Sequence, residues 1–119
     1  MTERHWILLF GADAMLVDTR SKVLENAGFR VAPSMTLSET ERELNEKPIA
    51  LLLLCHSLPS ADCEKAVEVA LRLNPDIVIL LLSAVSGPSI ERTDVAIHYM
   101  GGPQKLVETV RVLLAEVPN

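Results

Sequence analysis

The chain has 119 residues, 49% of them apolar and 23% charged, a balance that fits one folded domain over residues 1–119 and excludes a disordered chain. Eleven Lys and Arg against sixteen Asp and Glu leave a formal charge of -5, which argues against direct electrostatic binding of nucleic acid. Two cysteines are too few for a disulfide framework, and the longest apolar run, Ile49 to Cys55, is far shorter than the roughly 20 residues of a membrane-spanning helix.

In chain order, the first apolar run, Trp6–Phe10, has the length of a strand, and no charged-then-apolar leader precedes it. Leu16, Val17, Val23, Leu24 and Ala27 then mark one face of a helix, and Gly28 is placed to end it because glycine tolerates a left-handed cap. Phe29–Ala32 is short enough for an edge strand. Leu37 and Leu44 mark a weaker helix, with Ser38-Glu39-Thr40-Glu41 readable as a capping box. Ile49–Cys55 and Ile77–Leu82 are apolar without alternation, as in strands covered on both faces. Leucine is a poor strand former, so a buried helix is the competing reading; the breakers Pro48, Pro59, Pro75 and Ser83 favour strands.

Between those runs Ala66, Val67, Ala70, Leu71 and Leu73 mark a third helix, opening through Pro59-Ser60 and ending near Asn74-Pro75. A fourth has only Ala84–Asp94, partly taken by Gly87-Pro88, so one or two turns or an irregular loop are expected there. Ala96–Met100 is the last strand. Pro103 suits a first helical turn, after which Leu106, Val110, Leu113, Leu114 and Val117 recur at helical intervals.

Strands alternating with helices imply an α/β fold, a parallel sheet sandwiched between helices. Sites in such sheets form outside the carboxyl ends of the strands, near the point where strand order reverses. Here those ends are Gly11-Ala12-Asp13, Cys55-His56-Ser57, Ser83-Ala84-Val85 and Met100-Gly101-Gly102.

Over Trp6 to Glu116 the sequence resembles the receiver domain of two-component response regulators. The marks are Ile7-Leu8-Leu9-Phe10, Leu24-Glu25-Asn26-Ala27-Gly28-Phe29, Cys55-His56-Ser57-Leu58-Pro59, Ile79-Leu80-Leu81-Leu82-Ser83-Ala84 and Tyr99-Met100-Gly101-Gly102-Pro103. The resemblance implies a CheY-like, flavodoxin-like doubly wound sheet of five parallel strands, order 2-1-3-4-5, in three α/β/α layers. Receivers carry an aspartate phosphoacceptor four residues before a proline and an acidic pair ending strand one. They also carry a Ser or Thr ending strand four, a Lys-Pro after strand five, and an aromatic residue three positions before the lysine. This chain matches that pattern at Pro59, Ser83, Tyr99 and Pro103 and departs from it elsewhere. Cys55 stands at the phosphoacceptor, Gly11 and Ala12 at the acidic pair with only Asp13 beyond, and Gly102 at the lysine.

Aspartyl phosphate formation needs a carboxylate nucleophile, carboxylates for Mg²⁺ and a cation to hold the product. The expectation is a pseudo-receiver, not an enzyme: no phosphorylation of the family's kind, no cofactor and no metal. Cys55 is expected to fill the space of the lost aspartate. A thiol redox sensor or enzyme centred on Cys55 is the alternative, and a flavodoxin-like small-ligand binder the third reading. Cys55, His56 and Cys63 match no familiar zinc spacing. Ser83 and Tyr99 are the switch-like pair. The partner is expected to be a protein or effector domain, with a homodimer through the fifth strand and last helix, where Lys105, Glu108, Arg111 and Glu116 supply mixed charge. Neither nucleic acid nor membrane is an expected partner, and the location is expected to be cytoplasmic.

Overall fold

The computed structural model describes residues 6–55, 58–83, 95–99 and 103–115. Their elements alternate: β1 (Trp6–Phe10), α1 (Ala14–Asn26), β2 (Arg30–Ser34), α2 (Leu37–Glu46), β3 (Ile49–Leu54), α3 (Ser60–Leu73), β4 (Val78–Ser83), β5 (Val95–Tyr99) and α4 (Pro103–Ala115). The segment 84–94, where a short fourth helix or irregular loop was expected, lies outside the described residues.

All strand pairings are parallel, in the order β2-β1-β3-β4-β5. This is the expected doubly wound sheet, with its strand order reversing between β1 and β3. The central position of β3 explains its composition. Every residue from Ile49 to Leu54 is buried, so neither face has a use for polar alternation. Leucine's modest strand preference is overridden by burial on two sides.

Side chains of the strands divide by parity between two cores. Leu8, Phe10, Leu52, Leu54, Ile79 and Leu81 pack with Cys63, Ala66, Val67 and Ala70 of α3 on one face. Ile7, Leu9, Leu51, Leu53, Leu80 and Leu82 pack with Val17 and Leu24 of α1 and Leu106, Val110 and Leu114 of α4 on the other. Val117, the last apolar position read as helical, lies outside the described residues.

The helix ends follow local chemistry. Asp13 caps α1 by accepting from the backbone N–H groups of Met15 and Leu16, at 3.0 and 3.3 Å. Gly28, at φ +99°, ends it in the left-handed region where a Cβ is strained. The capping box of α2 sits two residues earlier than its sequence reading. Thr36 Oγ1 accepts from Glu39 N–H at 3.1 Å, and Glu39 Oε1 accepts from Met35 N–H at 2.8 Å. Ser38 and Thr40 are unsuited to that role because they lie inside the helix. Thr40 is instead fully buried, with its hydroxyl 2.8 Å from that of Ser34 in β2. Strand β2 is an edge strand as expected, displaced to Arg30–Ser34, and its Pro33 sits where a missing N–H is tolerated.

Candidate functional site

The ladder runs one residue past the ends of β1 and β3. Cys55 N–H donates to the Phe10 carbonyl at 3.0 Å, and Gly11 N–H donates to the Ser34 carbonyl at 3.2 Å. Gly11 and Cys55 therefore lie side by side at the carboxyl edge where the strand order reverses, the place that topology singles out for a site.

They are packed tightly against each other. A Cβ at Gly11 would stand 2.8 Å from Val17 Cγ2, 3.0 Å from Cys55 Sγ and 3.1 Å from Cys55 Cβ. Only a residue without a side chain leaves these neighbours undisturbed. Cys55 itself is fully buried and belongs to the core on the α1/α4 side. Ala12 and Asp13 are exposed, but the Asp13 carboxylate is turned back onto α1 as its cap.

One participant was missed by sequence reasoning. Arg20 follows the capping Asp13 by seven residues, two helical turns, which returns it to the same side of α1. Its guanidinium comes close enough to the Cys55 thiol to favour the thiolate, and its Nη1 is fully enclosed. That seven-residue spacing is the one signal of it in the sequence, and the apolar periodicity of the helix does not carry it. Burial pushes the Cys55 thiol above its ordinary pKa; Arg20 pulls it down without reversing the shift, and Asp13 adds to it. The thiol therefore stays protonated at neutral pH. Cys63, in the first turn of α3, is pushed up to about 11 by burial and then by Asp62, Cys55 and Glu64. Both cysteines are free thiols. They face opposite sides of the sheet, so they do not form one two-thiol site.

The backbone brings the switch-like pair together: Ser83 ends β4 and is the register partner of Tyr99, which ends β5. His56, Ser57 and Gly102 lie outside the described residues. Among the described residues no group of three His, Cys, Asp or Glu side chains is arranged to hold a metal ion. Among the same residues no helix is long and apolar enough to cross a membrane.

No protein-family model and no curated protein matches the sequence. Solved structures do match in shape. A response regulator receiver protein from Sinorhizobium medicae superposes with a TM-score of 0.81 at 21% identity, covering 99% of this chain and 100% of that one. A CheY-like receiver domain protein from Methanospirillum hungatei gives 0.80 at 22% identity, covering 94% of each. A putative pilus assembly-related protein from Burkholderia pseudomallei gives 0.75 at 18% identity, covering 100% and 96%. Strand order, parallel pairing and these superpositions together establish that the chain has the CheY-like fold of response regulator receiver domains.

Proposed function

We propose that this domain is a signalling module of the receiver type that works by docking to a protein or effector domain, without forming an aspartyl phosphate. One observation carries the reading: Cys55, buried, occupies the position at which receivers present their phosphoacceptor, and Gly11 is packed against it with no room for a side chain. A protonated thiol is a poor acceptor for a phosphoryl group beside the carboxylate it replaces.

The residues at this edge do not fit the Mg²⁺ that the fold family implies. Mg²⁺ takes hard oxygen ligands in octahedral geometry. Gly11 and Ala12 offer no carboxylate, Asp13 is engaged as a helix cap, and the Arg20 guanidinium acts on the Cys55 thiol with the positive charge that a metal cation would meet as repulsion. The proposal takes the domain as a non-enzymatic interaction module and places it in the cytoplasm. The pairing of β5 with β4 and the exposed polar positions Lys105, Glu108 and Arg111 of α4 support the fifth strand and last helix as a self-association face.

Incubation with acetyl phosphate and Mg²⁺, followed by intact-mass analysis, is expected to leave the chain unmodified. Mg²⁺-dependent gain of one phosphoryl group that hydroxylamine removes, as it does from an acyl phosphate, would overturn the reading. The second reading, a redox sensor at Cys55, draws on the proximity of the Arg20 guanidinium, which favours the thiolate a reactive cysteine needs. Burial outweighs it, so alkylation of Cys55 in the native protein is expected to wait for denaturant; rapid selective labelling at neutral pH would favour the sensor.

A further inference from the structure

Strand β2 is an outer strand of the sheet, and a groove of about 450 Å³ lies beside it, between α1, the end of β2 and the start of α2. Ser21 and Glu25 of α1, Pro33 of β2, Met35 and Glu39 are among the residues that line it. The backbone at this edge offers acceptors. Ser34 gives its carbonyl to Gly11 N–H at 3.2 Å, so the alternation of the ladder turns the Pro33 carbonyl away from β1. Pro33 has no N–H, and the N–H of Met35 is held by Glu39 Oε1 at 2.8 Å. From Pro33 to Met35 the edge therefore presents no outward backbone donor, and a partner there is recognised by its own donors and charge.

The side chains add to that polarity. The charged residues of the groove are Asp18, Lys22, Glu25 and Glu39. Lys22 is matched by Asp18 at 3.0 Å. Glu25 also lines the neighbouring cavity together with Arg30, whose guanidinium stands over Trp6. With Arg30 set wholly against Glu25, Glu39 still has no cation partner among the described residues. The groove thus stays negative, the sign of the whole chain's charge of -5, which attracts a basic partner at long range.

Ser21 is an independent mark. It is only 7% exposed, and its hydroxyl meets no hydrogen-bond partner among the described residues. A buried hydroxyl left so is stabilised by a group that enters and pairs with it. Met35, 40% exposed, supplies an adaptable apolar wall of the kind that accepts an aliphatic stem. A peptide carries all the complements at once: a cationic head, an aliphatic stem, and backbone groups able to pair with a hydroxyl.

We infer that the groove between α1 and β2 docks a basic, extended segment of a protein partner, with a Lys or Arg head on Glu39, its stem along Met35 and its backbone on the Ser21 hydroxyl. The inference rests on the reading of the domain as an interaction module and names the chemistry of one partner.

The test is a titration of the whole ¹⁵N-labelled chain with a short synthetic peptide of Lys, Leu and Ser. Saturable shifts are expected at the amides of Ser21, Lys22, Glu25, Met35 and Glu39, weakened by added salt. Glu39→Gln keeps an acceptor for the Met35 N–H but loses the charge, and is expected to weaken binding about tenfold, the loss of one charge-assisted contact. Lys22→Gln, which frees Asp18, is expected to tighten it. Ser21→Ala is expected to weaken it without lowering the midpoint of urea unfolding. Glu64→Gln, at an exposed position of α3, is expected to change nothing. A flat titration, equal binding of the same peptide with Glu for Lys, unchanged binding in Glu39→Gln, or equal weakening by Glu64→Gln would overturn the inference. So would spermidine binding as tightly as the peptide, which would assign the groove to small amines, or the same shifts appearing with chain concentration alone, which would assign it to a second copy. Phosphoryl uptake would remove the reading of the preceding subsection without altering this titration, and a flat titration would remove this groove without altering that reading.

Discussion

Gly11 and Cys55 illustrate how two residue choices at one strand edge constrain each other. With Val17 Cγ2 2.8 Å and Cys55 Sγ 3.0 Å from where a Cβ would lie, any side chain at position 11 must displace a packed neighbour. Overpacking of this kind costs about 1–3 kcal/mol. Gly11→Ala is therefore expected to lower the midpoint of urea unfolding, and Val17→Ala is expected to cost less in that background than in the parent chain, because the nearest obstructing atom is removed. Equal stability of Gly11→Ala and the parent chain would show that the neighbours yield freely. The same geometry means that an acidic residue cannot simply be returned to this position: its carboxylate would begin from a Cβ already in conflict.

Among the elements, α1 shows how Asp13 is used. The Asp13 carboxylate accepts two backbone N–H groups at the start of the helix, a role that depends on a side-chain oxygen more than on charge. Asp13→Ala is expected to cost about 1 kcal/mol of unfolding free energy, whereas Asp13→Asn is expected to remain near the parent value, since Asn caps about as well. Equal losses in the two would point to a role for the charge itself. The boundaries of such elements were legible where a single residue type enforces them. Gly28 ends α1 because its φ of +99° excludes most side chains, and Pro103 opens α4 where no N–H partner is required. They were less legible where several polar residues compete. Thr36, Ser38 and Thr40 all suit a cap, and the burial of Thr40 against Ser34, a long-range contact absent from any local pattern, decides among them.

Across the molecule, the fold was readable because burial on both faces leaves an unmistakable trace: β3 and β4 are apolar at every internal position, and their breakers set their length. The position of the site was readable for the same reason, since a parallel sheet directs it to the carboxyl edge at the reversal of strand order. Its chemistry was less so. Gly11, Asp13 and Cys55 could be placed, but the inward turn of Arg20 depends on packing between α1 and the sheet, and an arginine in a helix usually signals solvent. The register pairing of Ser83 with Tyr99 sets the ends of β4 and β5 side by side along the same edge.

The most direct test of the proposal that this edge takes neither Mg²⁺ nor a phosphoryl group is a Mg²⁺ titration with beryllofluoride present, followed through the backbone amide signals of Gly11, Ala12, Asp13 and Cys55. No saturable shift is expected at millimolar Mg²⁺, because this edge combines an engaged carboxylate, a protonated thiol and a guanidinium. A saturable, Mg²⁺-dependent shift at these four amides that spreads to Ser83 and Tyr99 would contradict it.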